Sequence, residues 1–217
     1  MRLRRTLFAL AAAAGLATPV GPSAPAVAEN GAYLWETFAP TAGPLGGVSF
    51  IGDSVGIGAE RFAPTLSAHL AAHGWGPIRF RAVAGGRTGL PPGWGDHVNA
   101  PATIAAWRAQ GWDSEHWIVN LGANDSGYCD TSVACAREAI LLVVDAIGPG
   151  HRIWWPMITR YEGPRFSAQE ATWNLALAQI DAERDDFVTW DWPTELRSRS
   201  SVYQPWDGTH LSPDGYR

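Results

Sequence analysis

The chain has 217 residues, 46% of them apolar and 17% charged, with a formal net charge of −5. That is enough for one well-buried domain and short for two, and with no acidic or basic block there is no signature of a disordered tail or a nucleic-acid surface. All 16 basic residues are arginine, which excludes Walker-type phosphate loops, Schiff-base enzymes and Ser-Lys hydrolases, since each needs a lysine amine.

The N-terminus reads as an export signal over residues 1–28. Arg2, Arg4 and Arg5 precede an apolar run from Leu7 to Leu16, and Ala26-Val27-Ala28 is a small-x-small cleavage site before Glu29. The run is short for a bilayer span. Arg4-Arg5, preceded by Leu3, leaves both general and twin-arginine export open. Removing three of the 16 basic residues leaves 13 against 21 acidic ones, a sign that again disfavours phosphate-backbone binding. The mature chain is expected in an extracytoplasmic space, secreted or associated with the cell envelope, without stable membrane insertion.

Residues 29–45 are rich in Ala, Pro and Gly, carry isolated Tyr33, Leu34, Trp35 and Phe38 without a clear period, and read as an extended arm. From residue 46 onward, short apolar runs alternate with segments of helical period, the pattern of a mainly parallel α/β sheet. The predicted strands are 47–51, 78–83, 116–121, 152–157 and 186–190. The intervening segment 55–73 should be kinked or restarted by Pro64. Within it His69 and His73 are four apart; with no third ligand in phase, a dipole-favoured helix end is expected rather than a metal site.

Pro101 suits a first helical turn, Ile104 and Trp107 share a face, and Gly111 ends the segment. After Ser132, apolar residues at 136, 140, 143, 144 and 147 form one stripe that Gly148-Pro149 stops. Ser167 and Glu170 have capping-box spacing ahead of Trp173, Leu177 and Ile180. The only two cysteines, Cys129 and Cys135, suit a disulfide in an oxidising compartment, because two ligands alone do not complete a zinc shell.

Ligands of such sheets bind beyond the carboxyl ends of the strands. Gly52-Asp53-Ser54 follows the first predicted strand, Gly85-Gly86-Arg87-Thr88 the second and Gly122-Ala123-Asn124-Asp125 the third. A serine hydroxyl becomes a nucleophile when a base takes its proton and a third group orients the base. Ser54 sits where a strand should turn into a helix, and Asp207 lies three residues before His210 near the chain end. Gly86 permits close backbone approach, and Asn124 offers an uncharged amide donor to a developing oxyanion. Singly, each motif is also an ordinary turn, helix cap or loop.

In combination, Gly52-Asp53-Ser54, Gly86, Gly122-x-Asn124-Asp125 and Asp207-x-x-His210 resemble the four blocks of the SGNH hydrolase superfamily, or GDSL-type esterases. They occur in that order, 32, 38 and 86 residues apart from Ser54 to Gly86 to Asn124 to His210. The resemblance implies a flavodoxin-like three-layer sandwich of about five strands in the order 2-1-3-4-5. It implies Ser54 as nucleophile, Asp207 and His210 as the rest of the triad, and an oxyanion hole of Ser54, Gly86 and Asn124. Val55 stands in place of the leucine of the family's name, as in the branch acting on carbohydrate acyl groups, and the phrase from Asp207 to Tyr216 is similar to that branch. Family members continue into a terminal helix, for which Ser212 and Pro213 look like cap and first residue; the SGNH domain, 46–217, is expected to be truncated within it.

The expected activity is hydrolysis of short O-acyl esters, chiefly O-acetyl esters of carbohydrate, by a monomer with no metal or cofactor. Trp94 and Trp206 are candidate apolar walls for a sugar ring or core tryptophans, and Arg87 and Arg160 are candidates for an anionic substrate or solvated side chains. Two alternatives remain at this stage: an O-acetyltransferase acting on cell-wall polysaccharide, and a catalytically idle carbohydrate-binding module on the same fold.

Overall fold

The computed structural model describes residues 33–90, 99–160, 163–199 and 208–217. The signal segment 1–28, Trp94, Trp206 and Asp207 lie outside them. Six strands form one sheet: β1 Leu34–Ala39, β2 Val48–Gly52, β3 Ile78–Val83, β4 His116–Asn120, β5 Arg152–Pro156 and β6 Phe187–Trp190, in the order β1-β3-β2-β4-β5-β6. The five from β2 onward are parallel. Counted from β2 they run 2-1-3-4-5, as the resemblance implies. The sixth strand arises within the segment expected to be an arm: β1 pairs antiparallel with β3, from Leu34 opposite Val83 to Ala39 opposite Ile78.

Every residue of β2 is buried, as a central parallel strand covered on both faces requires. Ile51 faces the larger core with Trp117, Val119, Ile153 and Trp155. Helices α3 Ala100–Ala109, α5 Val133–Ile147 and α6 Pro164–Glu183 contribute to that core Ile104, Trp107, Ile140, Val143, Trp173 and Leu177, among others. On the other face, Phe50 stacks on Phe80 with ring centroids 4.4 Å apart, beneath Ile57 of α1 Ser54–Arg61 and Leu66 of α2 Leu66–Ala72.

Helix boundaries follow local chemistry. Pro64 separates α1 from α2, and Thr65 caps the second by accepting from the Ala68 N–H. Asn99 caps α3, while Ser132 caps α5, whose predicted stripe is buried throughout. The predicted start of α6 is corrected by one turn. Pro164, preset for a first helical turn, opens it after Gly163, so Ser167 lies inside and donates to the Gly163 carbonyl at 3.2 Å. Glu170 instead accepts the Arg160 N–H at 2.6 Å and pairs with Arg197.

A disulfide joins Cys129, the last residue of α4 Ala123–Cys129, to Cys135 in the first turn of α5. It ties the short helix carrying Asn124 to a long helix of the core. By the chain-entropy relation, closing so short a loop stabilises the fold by about 2 kcal/mol. Replacing both cysteines by serine is expected to lower the unfolding free energy in urea by about that amount while leaving the folded-state circular dichroism unchanged.

Candidate active site

At the carboxyl end of β2 the chain turns directly into α1. Asp53 continues the sheet by donating its N–H to Asn120 O at 3.1 Å, then caps the helix, its carboxylate accepting the Val55 N–H at 2.9 Å. Ser54 is therefore the first helical residue, and the N–H groups of a first turn have no intrahelical acceptor. Its Oγ lies 2.8 Å from Nε2 of His210, 156 residues further along the chain. That is hydrogen-bond distance between a hydroxyl and the imidazole nitrogen able to take its proton.

His210 is held from its C-terminal side. Leu211 is buried against Leu196, Trp192 and Tyr216, and Ser212 caps the short helix Pro213–Tyr216 by accepting the Gly215 N–H at 3.2 Å. The Tyr216 ring stacks on Phe62 with centroids 5.7 Å apart and lies across Gly58, where even a Cβ would overlap it. Gly58 is one helical turn beyond Ser54. The seat of Tyr216 thus fixes the segment carrying the imidazole to the helix carrying the hydroxyl.

Two further loops meet Ser54. Gly86 lies in the turn after β3 and donates its N–H to Val83 O at 2.8 Å. A Cβ here would stand 2.9 Å from Gly52 O and 3.2 Å from Asp53 Cα, so only glycine lets this turn lie against the serine turn. The amide of Asn124, in the first turn of α4, donates to Gly86 O at 3.1 Å, and Arg87 Nη1 donates to Asn124 O at 3.0 Å. Asp125 accepts both the N–H and the hydroxyl of Thr88, at 3.1 and 2.8 Å.

The sequence matches the GDSL-like lipase/acylhydrolase family over residues 50–217. The chain belongs to that family. No protein of curated function matches it. Its fold is similar to that of the Streptococcus pneumoniae peptidoglycan O-acetyltransferase A C-terminal catalytic domain, solved with a methylsulfonyl adduct, at TM-score 0.54 and 16% identity over 81% of this chain and 82% of that one. It is also similar to TesA, at TM-score 0.59 and 14% identity over 78% and 91% of the two chains. A third is Est24, a carbohydrate acetylesterase from Sinorhizobium meliloti, at 0.53 and 17% over 78% and 92%.

Of the site residues predicted for this GDSL-family chain, Ser54, Gly86, Asn124 and His210 stand at the same end of the sheet; Asp207, Trp94 and Trp206 are outside the described residues. Arg87 and Arg160 are braces rather than solvated side chains. Arg160 Nη1 reaches Ala123 O, Ser126 Oγ and Gln169 Oε1 at 3.2–3.3 Å, and its guanidinium lies 4.3 Å over Phe166. His73 closes α2 by bonding the His69 carbonyl through Nδ1 at 2.8 Å. Sequence reasoning missed the Tyr216 seat, whose one trace is a glycine inside a helix at position 58. It also left Asp125 without a task.

Asp53 and Asp125 are both wholly buried. Burial raises the Asp53 carboxyl to about 7, an effect reduced by the Val55 N–H, increased by neighbouring Asp125 and reduced again by His210. Burial raises Asp125 to about 6 against the pull of Thr88 and Arg87. A carboxyl with a raised folded-state pKa holds its proton in the native state at pH values where the unfolded chain has released it. Its presence therefore weakens the fold as pH climbs from the unfolded value towards the folded one.

Gly58→Ala favours the helix intrinsically yet displaces Tyr216, so turnover of an aryl acetate is expected to fall about tenfold or more with α1 intact, as catalytic misplacement of ~1 Å costs up to about a hundredfold. Unchanged turnover would show that the seat does not govern His210. Asp53→Asn keeps the acceptor for Val55 but does not titrate. Its stability advantage over wild type is expected to grow by roughly 3 kcal/mol between pH 5 and pH 8 in denaturant titrations, from about 1.4 kcal/mol per pKa unit; a pH-independent difference is the contrary result.

Proposed function

We propose that the chain is a secreted serine esterase that removes short O-acyl groups, chiefly acetyl, from carbohydrate through an acyl-enzyme on Ser54. The observation that carries this reading is the 2.8 Å approach of Ser54 Oγ to His210 Nε2 at the carboxyl end of a parallel sheet. His210 takes the hydroxyl proton as Oγ attacks the ester carbonyl, and Asp207, three residues earlier, orients the ring and steadies the imidazolium. The Ser54 N–H, free of any intrahelical acceptor, and the Asn124 amide receive the oxyanion, with the Gly86 N–H turning to it from Val83. Collapse expels the alcohol, which takes the proton from His210. Water, deprotonated by the same imidazole, then releases the acid and restores the serine.

The carbohydrate direction is supported by two structural neighbours whose names specify a peptidoglycan O-acetyltransferase and a carbohydrate acetylesterase. Export is supported by the N-terminal signal pattern and by the disulfide, which persists in oxidising compartments. Among the described residues no helix is long and apolar enough to cross a membrane. Ser54→Ala is expected to lower aryl acetate hydrolysis on the order of 10⁴-fold or more, and the wild-type protein to release free acetate from acetylated xylan or acetylated peptidoglycan. Full activity in the Ser54 variant removes the central claim; acetate appearing on an added sugar acceptor instead of in solution makes the protein a transferase.

A further inference from the structure

The loops 86–88 and 124–125 leave β3 and β4, strands that do not touch because β2 lies between them. They are nonetheless tied at three consecutive levels. The Asn124 amide donates to Gly86 O at 3.1 Å, Arg87 donates to Asn124 O at 3.0 Å, and Asp125 Oδ1 takes both donors of Thr88 at 3.1 and 2.8 Å. The last tie differs from the other two in being entirely buried: Thr88 and Asp125 are both 0% exposed. Its second oxygen, Asp125 Oδ2, is buried without a donor among the described residues.

We infer that Thr88 and Asp125 form a positioning clamp that sets the direction of the Asn124 amide toward the carbonyl attacked by Ser54. The inference rests on the proposed reading of Ser54 and Asn124. Asn124 and Asp125 are consecutive in the first turn of α4. Anchoring the Asp125 carboxylate at two donors of one residue fixes the rotation of that turn about its axis, and with it the bearing of the preceding side chain. A carboxylate accepts such bonds more strongly than a neutral amide and costs more to bury. Retaining it with one oxygen unmet is an expense the fold does not need for packing. Neither Thr88 nor Asp125 touches substrate in this arrangement; both act through Asn124.

An oxyanion donor matters mainly in the transition state, so loosening it lowers kcat with little change in KM. Thr88→Val keeps the branched shape and loses the hydroxyl donor. With an aryl acetate it is expected to lower kcat about tenfold with KM within about twofold, while Thr88→Ser, which keeps the hydroxyl, retains kcat within about twofold. In an Asn124→Ala background, Thr88→Val is expected to cost less than about twofold more, because the group it positions is gone. An equal penalty in both backgrounds, or wild-type kcat in Thr88→Val, overturns the clamp alone. Wild-type kcat in Asn124→Ala overturns the oxyanion reading and the clamp with it. Should Thr88→Val fail to fold, Thr88→Ala, which also removes the hydroxyl donor, takes its place in the same cycle with the same expected and overturning results.

Discussion

The hydrogen bond between Ser54 and His210 closes a separation of 156 residues, and most of the architecture bears on whether that bond can form. A parallel sheet brings all its strand ends to one edge, so a residue after the first parallel strand and one after the last can meet there. Proximity at the level of the sheet is not enough for proton transfer, which needs an approach of about 3 Å. The remaining precision comes from local devices: Asp53 pins the start of α1, while Tyr216, seated over Gly58 and Phe62, pins the segment bearing the imidazole. Hydroxyl and imidazole are thereby referred to the same eight-residue helix.

The same edge is crowded, and glycine makes the crowding possible. A side chain at Gly86 would strike Gly52 O, and one at Gly122 would collide with the Trp173 indole. Both glycines bring backbone where other residues would hold it away. Gly122, at φ +122°, also has a conformation that other residues avoid, and this lets α4 start directly against α6. The disulfide and Arg160 then tie α4 to its neighbours, so the short helix carrying Asn124 is fixed at both ends.

Much of this was legible in the chain. β2 announces itself as an apolar run because a strand covered on both faces has no polar side, β3 shows the alternation of Ile78, Phe80 and Ala82 with Arg79 and Arg81, and the stripe of α5 appears because one face meets solvent. The strand β1 does not stand out. Its burial alternates irregularly, and it exists because β3 has an open edge to pair with, a fact about residues 39 to 49 positions away. The placing of α6 fails for a related reason: Ser167 and Glu170 have capping-box spacing, but Glu170 is claimed by Arg160 and Arg197. Ser54, Gly86, Asn124 and His210, which the fold brings to one end of the sheet, stand out in the sequence because the chemistry proposed for them requires particular residue types in order. The Thr88–Asp125 tie joins residues 37 apart through ordinary turn residues, and no local pattern distinguishes it from an Asn-Asp turn.

Two buried acids, Asp53 within electrostatic reach of His210 and Asp125 within reach of Asp53, set stability and the proposed chemistry against each other. Between the unfolded carboxylate range and neutrality, ionising Asp53 and Asp125 weakens the fold, because each charge is formed in a site closed to water. In the proposed mechanism His210 becomes an imidazolium as Ser54 attacks, and an ionised Asp53 lies within electrostatic reach of that charge. An alanine at position 53 would relieve the burial and lose both the cap on α1 and the field at the imidazole. Asparagine would keep the cap and lose only the field. An aspartate at position 53 thus gives up native stability as pH climbs towards neutrality, and in return the group that caps α1 is one that can also carry charge beside His210.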